Sequence, residues 1–591
     1  MSFHKILAIG VVAAALVGCG GGDININADN NSTITDTSTY SNQTSVAETA
    51  DIVCASYTDG NGVTKSGQVD GDNCVYSESF VDFDNPLMSS LTIPDIGKGA
   101  HIFAGSLFVG KDYSTLAAAE TAGITKGGDG PTLTIREGVT IALQAKEDFV
   151  LINRGSRIVA QGTKSAPITF TSETDLRGLV SPEEVQSWGG MIINGFSITN
   201  SCDYVAGWAG STIAGNTGEL ELATNAECSI LQEGAEGARS NHYGGTYPND
   251  NSGTLSYVVV KHAGYEVLEG NELNGITFGA VGSGTTLNNI QIYSNQDDGV
   301  EFFGGTVDLT NFVALYVRDD SIDIDQGYRG TITNALVIQG GGLDNTGAGS
   351  KTGAHCVESD GSGGSLKAQN ITNGYISAAT INNLTCIISA KAPGVAGNSD
   401  PGAGVNAEEG HNLTLNNAIV TTAYALDATK DKDGQDIAAA KLPYTNYCFQ
   451  LEDTEDKENA GNGLIKINDS IFACADISAA KSRDGDFNIV AGTAYNTALT
   501  GKAFLEAQDN QIKVTNADGT DSPDGTNGST VKILDGFYSL PTADMQIDGA
   551  AVTVDVAAGT TLGAVTKAND WTAGWTYGLH ADNRGQALWF E

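Results

Sequence analysis

Short apolar and β-branched runs, each closed by Gly or Asn, recur along the middle of the chain. Early examples are Leu133-Thr-Ile-Arg-Glu-Gly-Val-Thr-Ile141, Val150-Leu-Ile-Asn-Arg-Gly-Ser-Arg-Ile158, Ile168-Thr-Phe-Thr171 and Met191-Ile-Ile-Asn-Gly-Phe-Ser-Ile198. Further on, an apolar-x-Asn motif opens each run: Leu287-Asn-Asn, Leu309-Thr-Asn, Ile332-Thr-Asn, Ile381-Asn-Asn, Leu415-Asn-Asn and Ile467-Asn-Asp. Asn289 to Asn311 is 22 residues and Asn311 to Asn334 is 23. Short strands, frequent turns and a near-constant period predict an all-β fold, a right-handed parallel β-helix solenoid. One coil cannot bury its inner face alone, whereas stacked coils share a continuous core. Asn suits a repeated corner because it tolerates αL geometry and its amide reaches the same residue one coil away. A β-sandwich fits a constant period poorly.

The pattern also suggests boundaries. Residues 51–99, with Cys54 and Cys74, read as an N-terminal cap segment, and 100–480 as the β-helix. Residues 199–253 break the period as a loop insertion carrying Cys202 and Cys228. Residues 481–591 read as an irregular segment and cap. Its aromatics Trp571, Trp575, Tyr577, Trp589 and Phe590 are expected to close the open solenoid end; a sugar-stacking platform is the alternative.

The first residues are of another kind. Lys5 precedes the apolar run Ile6 to Val17, which is too short to span a bilayer. Leu16-Val17-Gly18-Cys19 follows. Residues 1–18 therefore read as a signal peptide, and the four residues ending at Cys19 resemble the bacterial lipobox. That resemblance implies cleavage before Cys19, lipidation of its thiol and acylation of the new amine. With Gly20 rather than Asp next, it implies the outer membrane, on a side left open. Three acyl chains anchor a protein stably where one does not. The Asn-, Ser-, Thr- and Gly-rich stretch up to residue 50 reads as a flexible tether spanning about 30 Å. Eight further cysteines fit an oxidising compartment: Cys54, Cys74, Cys202, Cys228, Cys356, Cys386, Cys448 and Cys474. Among many possible connectivities, pairing in chain order is the simplest.

Charge narrows the partners. The 71 acids against 30 bases leave a formal charge of −41, which argues against nucleic acid. No motif points to an organic cofactor. The acids are densest at Asn295-Gln-Asp-Asp-Gly-Val-Glu-Phe-Phe-Gly-Gly305, which overlies Val317 to Gly327 when shifted by one coil. Asp297 then falls on Asp319, Asp298 on Asp320 and Glu301 on Asp323. Alternation sends Val300, Phe302, Ile322 and Ile324 inward, and Glu301, Asp323 and Asp325 outward. Carboxylates one coil apart repel by about 3–4 kcal/mol at an effective dielectric of 20. Protonation, a basic neighbour or a cation would relieve this. A Ca²⁺ site of Glu301, Asp319, Asp323 and Asp325 is the expectation, with a solvated acidic face as the alternative. The pattern continues more loosely at Cys356-Val-Glu-Ser-Asp360 and towards Asp453. His262 and His355 stand alone and read as structural.

Gly155-Ser-Arg-Ile158, Ala166-Pro-Ile-Thr-Phe-Thr-Ser172, Trp188-Gly-Gly190, Asn251-Ser-Gly-Thr-Leu-Ser-Tyr257 and Val281-Gly-Ser-Gly-Thr285, with the acidic ladder, resemble a family of secreted bacterial β-helix proteins of pectin-lyase-like fold. Many members are lipoproteins without an assigned reaction. The resemblance implies an envelope binding protein for a glycan, a cation or an envelope receptor, including TonB-dependent receptors in nutrient capture. A polysaccharide hydrolase or lyase is the rival. It would use Asp297, Asp298, Asp319 and Asp320 as paired acid and base, or Ca²⁺ with Arg318 or Arg329 as base. The Gly-His-Gly and Arg-Ile-Lys motifs of the hydrolases are absent; His411 sits in Glu-Gly-His-Asn.

Overall fold

The computed structural model describes residues 52–205, 219–234, 240–268, 271–340, 353–363, 366–389, 403–423, 447–473, 488–508, 510–512, 531–533, 545–547, 550–551, 562–585 and 587–588. Cys19 and its tether lie outside them, as do Cys474, Trp589 and Phe590. Among the described residues no helix is long and apolar enough to cross a membrane.

The architecture is a parallel β-helix. One nine-stranded parallel sheet stacks Leu107–Val109, Val150–Ile152, Met191–Asn194, Ile276–Gly279, Val300–Phe303, Ile322–Asp325, His355–Ser359, Ala403–Ala407 and Tyr447–Leu451. The other two faces come from long strands bent once each, such as Thr286–Tyr293, Leu309–Leu315 and Thr331–Ile338. The bend falls on the residues with positive φ: Asn289 at 52°, Asn311 at 61°, Asn334 at 60° and Asn383 at 59°. Asn is cheaper there than a β-branched residue. Its amide also ties the coils together: Asn334 Nδ2 donates to Asn311 Oδ1 at 2.9 Å, and Asn383 Nδ2 to Asn334 Oδ1 at 2.9 Å. A second ladder runs Asn382, Asn416, Asn468.

The core is the alternation made solid. Val300, Phe302, Ile322 and Ile324 are fully buried, and Phe278, Phe302 and Tyr328 stack with centroids 5.1 and 4.4 Å apart. Each such side chain contributes about 1.5–3 kcal/mol of burial. At Gly190, φ is 133° and a Cβ would strike the Asn274 carbonyl on the next coil, so only glycine fits.

Parallel stacking starts at Asn73–Tyr76, against His101–Phe103, and Ile471–Ala473 still pairs with Gln511–Ile512. The coils thus begin before residue 100 and run past 480. Among the described residues three disulfides join cysteines in chain order, Cys54–Cys74, Cys202–Cys228 and Cys356–Cys386; the expected pairing of Cys448 with Cys474 lies outside them.

Among the C-terminal aromatics, Trp571, Trp575 and Tyr577 do not close an end; they cover a flank. Gly563 N–H reaches Asn417 O, Ala564 N–H reaches Thr385 Oγ1, and Tyr577 exchanges two 2.7 Å bonds with Gln291. Trp575 meets Tyr257 edge-on. The segment therefore runs back towards earlier coils. The reason is that Val313, Leu315, Leu336, Ile338 and Ile387 project outward from the bent strands and are buried by Val565 and Leu579. An apolar outer face has to be covered somewhere along its length.

Candidate functional site

The nine-stranded sheet carries the acids. Its outward row runs Thr277, Glu301, Asp323, Glu358 in direct register. The turns before these strands add Asp298 and Asp320. Asp298 Oδ1 accepts the Asp320 N–H at 3.0 Å, and Asp320 Oδ1 accepts the His355 N–H at 2.7 Å. These two carboxylates are thus spent partly on tying one coil to the next. Asn274 Nδ2 donates to Glu301 Oε2.

Three groups of potential ligand atoms converge, each within 4.8 Å: Asp298, Glu301 and Asp323; Asp320, His355 and Glu358; Glu358, Asp360 and Glu408. Of the four expected cation ligands, Glu301 and Asp323 come together. Asp319 and Asp325 are not in these groups. Asp298, read as half of a catalytic pair, joins Glu301 instead. His355, read as a lone structural residue, lies 2.8 Å from Asp320 Oδ1 and 3.3 Å from Glu358 Oε1. Glu408 escaped the sequence reading; its signal was the acid pair of Glu408-Glu-Gly-His411, which falls over Asp360.

Part of the row is roofed. The short hairpin of Ile230–Leu231 and His242–Tyr243, from the insertion, packs over the coil of Glu301 and Phe303. Tyr243 Oη donates to Gln326 Oε1 and its ring packs against Phe303. Arg154 holds the base of the insertion through the carbonyls of Cys228, Gly244 and Tyr113. Glu301 faces away from the core, yet it is only 6% exposed.

Burial and like charge act together here. Burial, then Asp297 and Asp320, push Asp298 far above the usual carboxylate range. Burial, then Glu233 and Asp297, do the same for Glu301, and burial, Asp298 and Glu301 for Asp323. Burial takes Asp325 up to about 7, and burial with Glu358 takes Glu408 to about 9. Glu358 goes the other way. Burial opposes it, but His355 and bonds from Asp320, Glu408 and Asn406 bring it down to about 2. The charges dominating each member of the Asp298, Glu301 and Asp323 group are other carboxylates.

Nearby cationic groups are committed. Arg318 Nη2 donates to Glu183 O at 2.8 Å, and Arg329 Nε to Ile376 O at 3.2 Å. His411 is no base for Ser359 either. Its Nε2 accepts the Ala379 N–H at 3.1 Å, so the proton sits on Nδ1 and is given to Ser359 Oγ at 2.6 Å. A groove of about 570 Å³ lies elsewhere, lined by Tyr57, Phe83, Met88, Phe108, Lys111 and Asp112; none of the three converging groups lies in it.

Comparison with family models finds a match to the pectate-lyase-like β-helix domain over residues 115–498. No curated protein and no solved structure matches the chain. The matched span holds every coil that carries the acidic row, and the chain belongs to the family of pectate-lyase-like β-helix domains.

Proposed function

We propose that this β-helix is the binding domain of an outer-membrane lipoprotein held by Cys19, and that it takes a hard divalent cation, of the Ca²⁺ class, on its acidic row. Asp298, Glu301 and Asp323 are the ligands, and an anionic glycan or an envelope receptor completes the complex. One observation carries the reading: three carboxylates, Asp298 and Glu301 buried and Asp323 half-buried, converge within 4.8 Å, and among the described residues Asp323 Oδ1 has no hydrogen-bond partner. Two charges about 4.8 Å apart cost roughly 3.5 kcal/mol at an effective dielectric of 20, and a cation with oxygen ligands turns that cost into binding. Calorimetric titration with Ca²⁺ tests it. Saturable binding that raises the melting temperature, and is lost in Asp323→Asn, is expected. No binding, together with no effect of chelation on melting, would refute it.

Glycan cleavage by Asp297, Asp298, Asp319 and Asp320 is less favoured. Asp298 and Asp320 already accept backbone N–H groups of the next coil, and both are buried.

A further inference from the structure

One coil beyond the Asp298, Glu301 and Asp323 group, the chemistry changes. His355 replaces an oxygen donor with an imidazole nitrogen. It is 6% exposed, and its Nδ1 sits 2.8 Å from Asp320 Oδ1 and 3.3 Å from Glu358 Oε1. It forms a well-aligned hydrogen bond with neither. Behind Glu358 lies Asn406, fully buried. Its Nδ2 is 3.3 Å from Glu358 Oε1, 3.2 Å from Glu408 Oε1 and 3.3 Å from Glu452 Oε2, while among the described residues its Oδ1 has no hydrogen-bond partner. A buried ring nitrogen aimed between two carboxylates, and a buried amide oxygen beside them, are what an ion pair alone does not require.

We propose that Asp320, His355 and Glu358 form a second cation site, selective for a first-row transition metal ion of the Zn²⁺ class. Asn406 is its positioning residue, orienting Glu358. An ion about 2.1 Å from each donor sets neighbouring donors about 3.0–3.4 Å apart. The 2.8 and 3.3 Å separations are edges close to that size. Imidazole nitrogen favours Zn²⁺, Co²⁺ and Ni²⁺, whereas Ca²⁺ prefers oxygen alone. The β-helix thus carries two neighbouring sites of different hardness. This inference stands apart from the Ca²⁺ reading, because the two donor sets share no residue.

The test uses the full chain without a polyhistidine tag, and Co²⁺ as probe, titrated in saturating Ca²⁺ and followed by its visible absorption. One Co²⁺ with a nitrogen-ligand spectrum, displaced by Zn²⁺, is expected. His355→Gln and Glu358→Gln should each abolish it while leaving Ca²⁺ binding and the circular dichroism spectrum intact. Asn406→Ala should weaken it about 10–100-fold. Asp323→Asn should abolish Ca²⁺ binding and spare Co²⁺. The proposal is overturned if no Co²⁺ binds, if excess Ca²⁺ removes all of it, or if either substitution at His355 or Glu358 leaves the spectrum unchanged. If His355→Gln fails to fold, Glu358→Gln alone decides the outcome. Absence of Ca²⁺ binding in the unsubstituted chain, with Co²⁺ bound, would refute only the hard-cation reading.

Discussion

Single carboxylates in this protein have opposite fates depending on one neighbour. Asp325 and Glu408 sit above their ordinary values, at about 7 and about 9, first through burial. Glu358 sits below, at about 2, because His355 and three hydrogen bonds outweigh burial. Linkage gives the signs. A group raised in the folded state binds its proton more tightly there, so its contribution to stability is lost as pH rises through that window. For Asp325 the window runs from 3.8 to about 7, and for Glu408 from 4.5 to about 9. Glu358 contributes above 4.5, and that part is lost as pH falls towards 2. In chelator, the melting temperature should therefore fall from about pH 5 to about pH 9. Saturating Ca²⁺ should flatten the fall. A melting temperature that rises over that range in chelator would contradict this account. Alternation alone placed Glu301 and Asp323 on the outward face. It was silent on the burial of Glu301, because burial depends on what lies above the face.

What lies above is an element, the insertion between residues 199 and 253. Its hairpin brings Tyr243 to Gln326 and Phe303, and Cys202–Cys228 closes it at the base. A loop separation of 26 residues corresponds to about 3.5 kcal/mol of chain entropy. Replacing both cysteines with serine should lower the melting temperature and also weaken Ca²⁺ binding, since the roof that keeps Glu301 dry would loosen. Unchanged Ca²⁺ affinity, measured by calorimetry on the folded variant, would show that the roof is unrelated to the site. The disulfide was readable from the sequence because its partners are neighbours in the chain. The docking of the hairpin was not, because its contacts to Gln326 span 83 residues. The C-terminal segment gives the same lesson. Its apolar content called for a buried contact, but the bent strands decided that the contact would be a flank.

At the scale of the molecule, 71 acids against 30 bases leave a net formal charge of −41, and the excess carboxylates repel one another. Monovalent salt should raise the melting temperature up to about 0.15 M, where the Debye length is about 8 Å. Ca²⁺ should act at far lower concentration, because a site binds it rather than an atmosphere. Equal effects of NaCl and CaCl₂ at matched ionic strength would mean that screening alone is at work.

The chain by itself determined the coil, the inward residues and the Asn corner, since all three follow from local rules: the two-residue pleat and the αL preference of Asn. Tertiary structure decided which acids meet. Glu301 and Asp323 are 22 residues apart, but Asp323 pairs with Glu358 across 35, so a constant period misses that rung. Asp298, His355, Asn406 and Glu408 reach the row from turns and later coils whose register depends on the lengths of intervening loops. A carboxylate's partners are set by distances of a few ångströms, and repeats of variable length do not preserve such distances along the sequence.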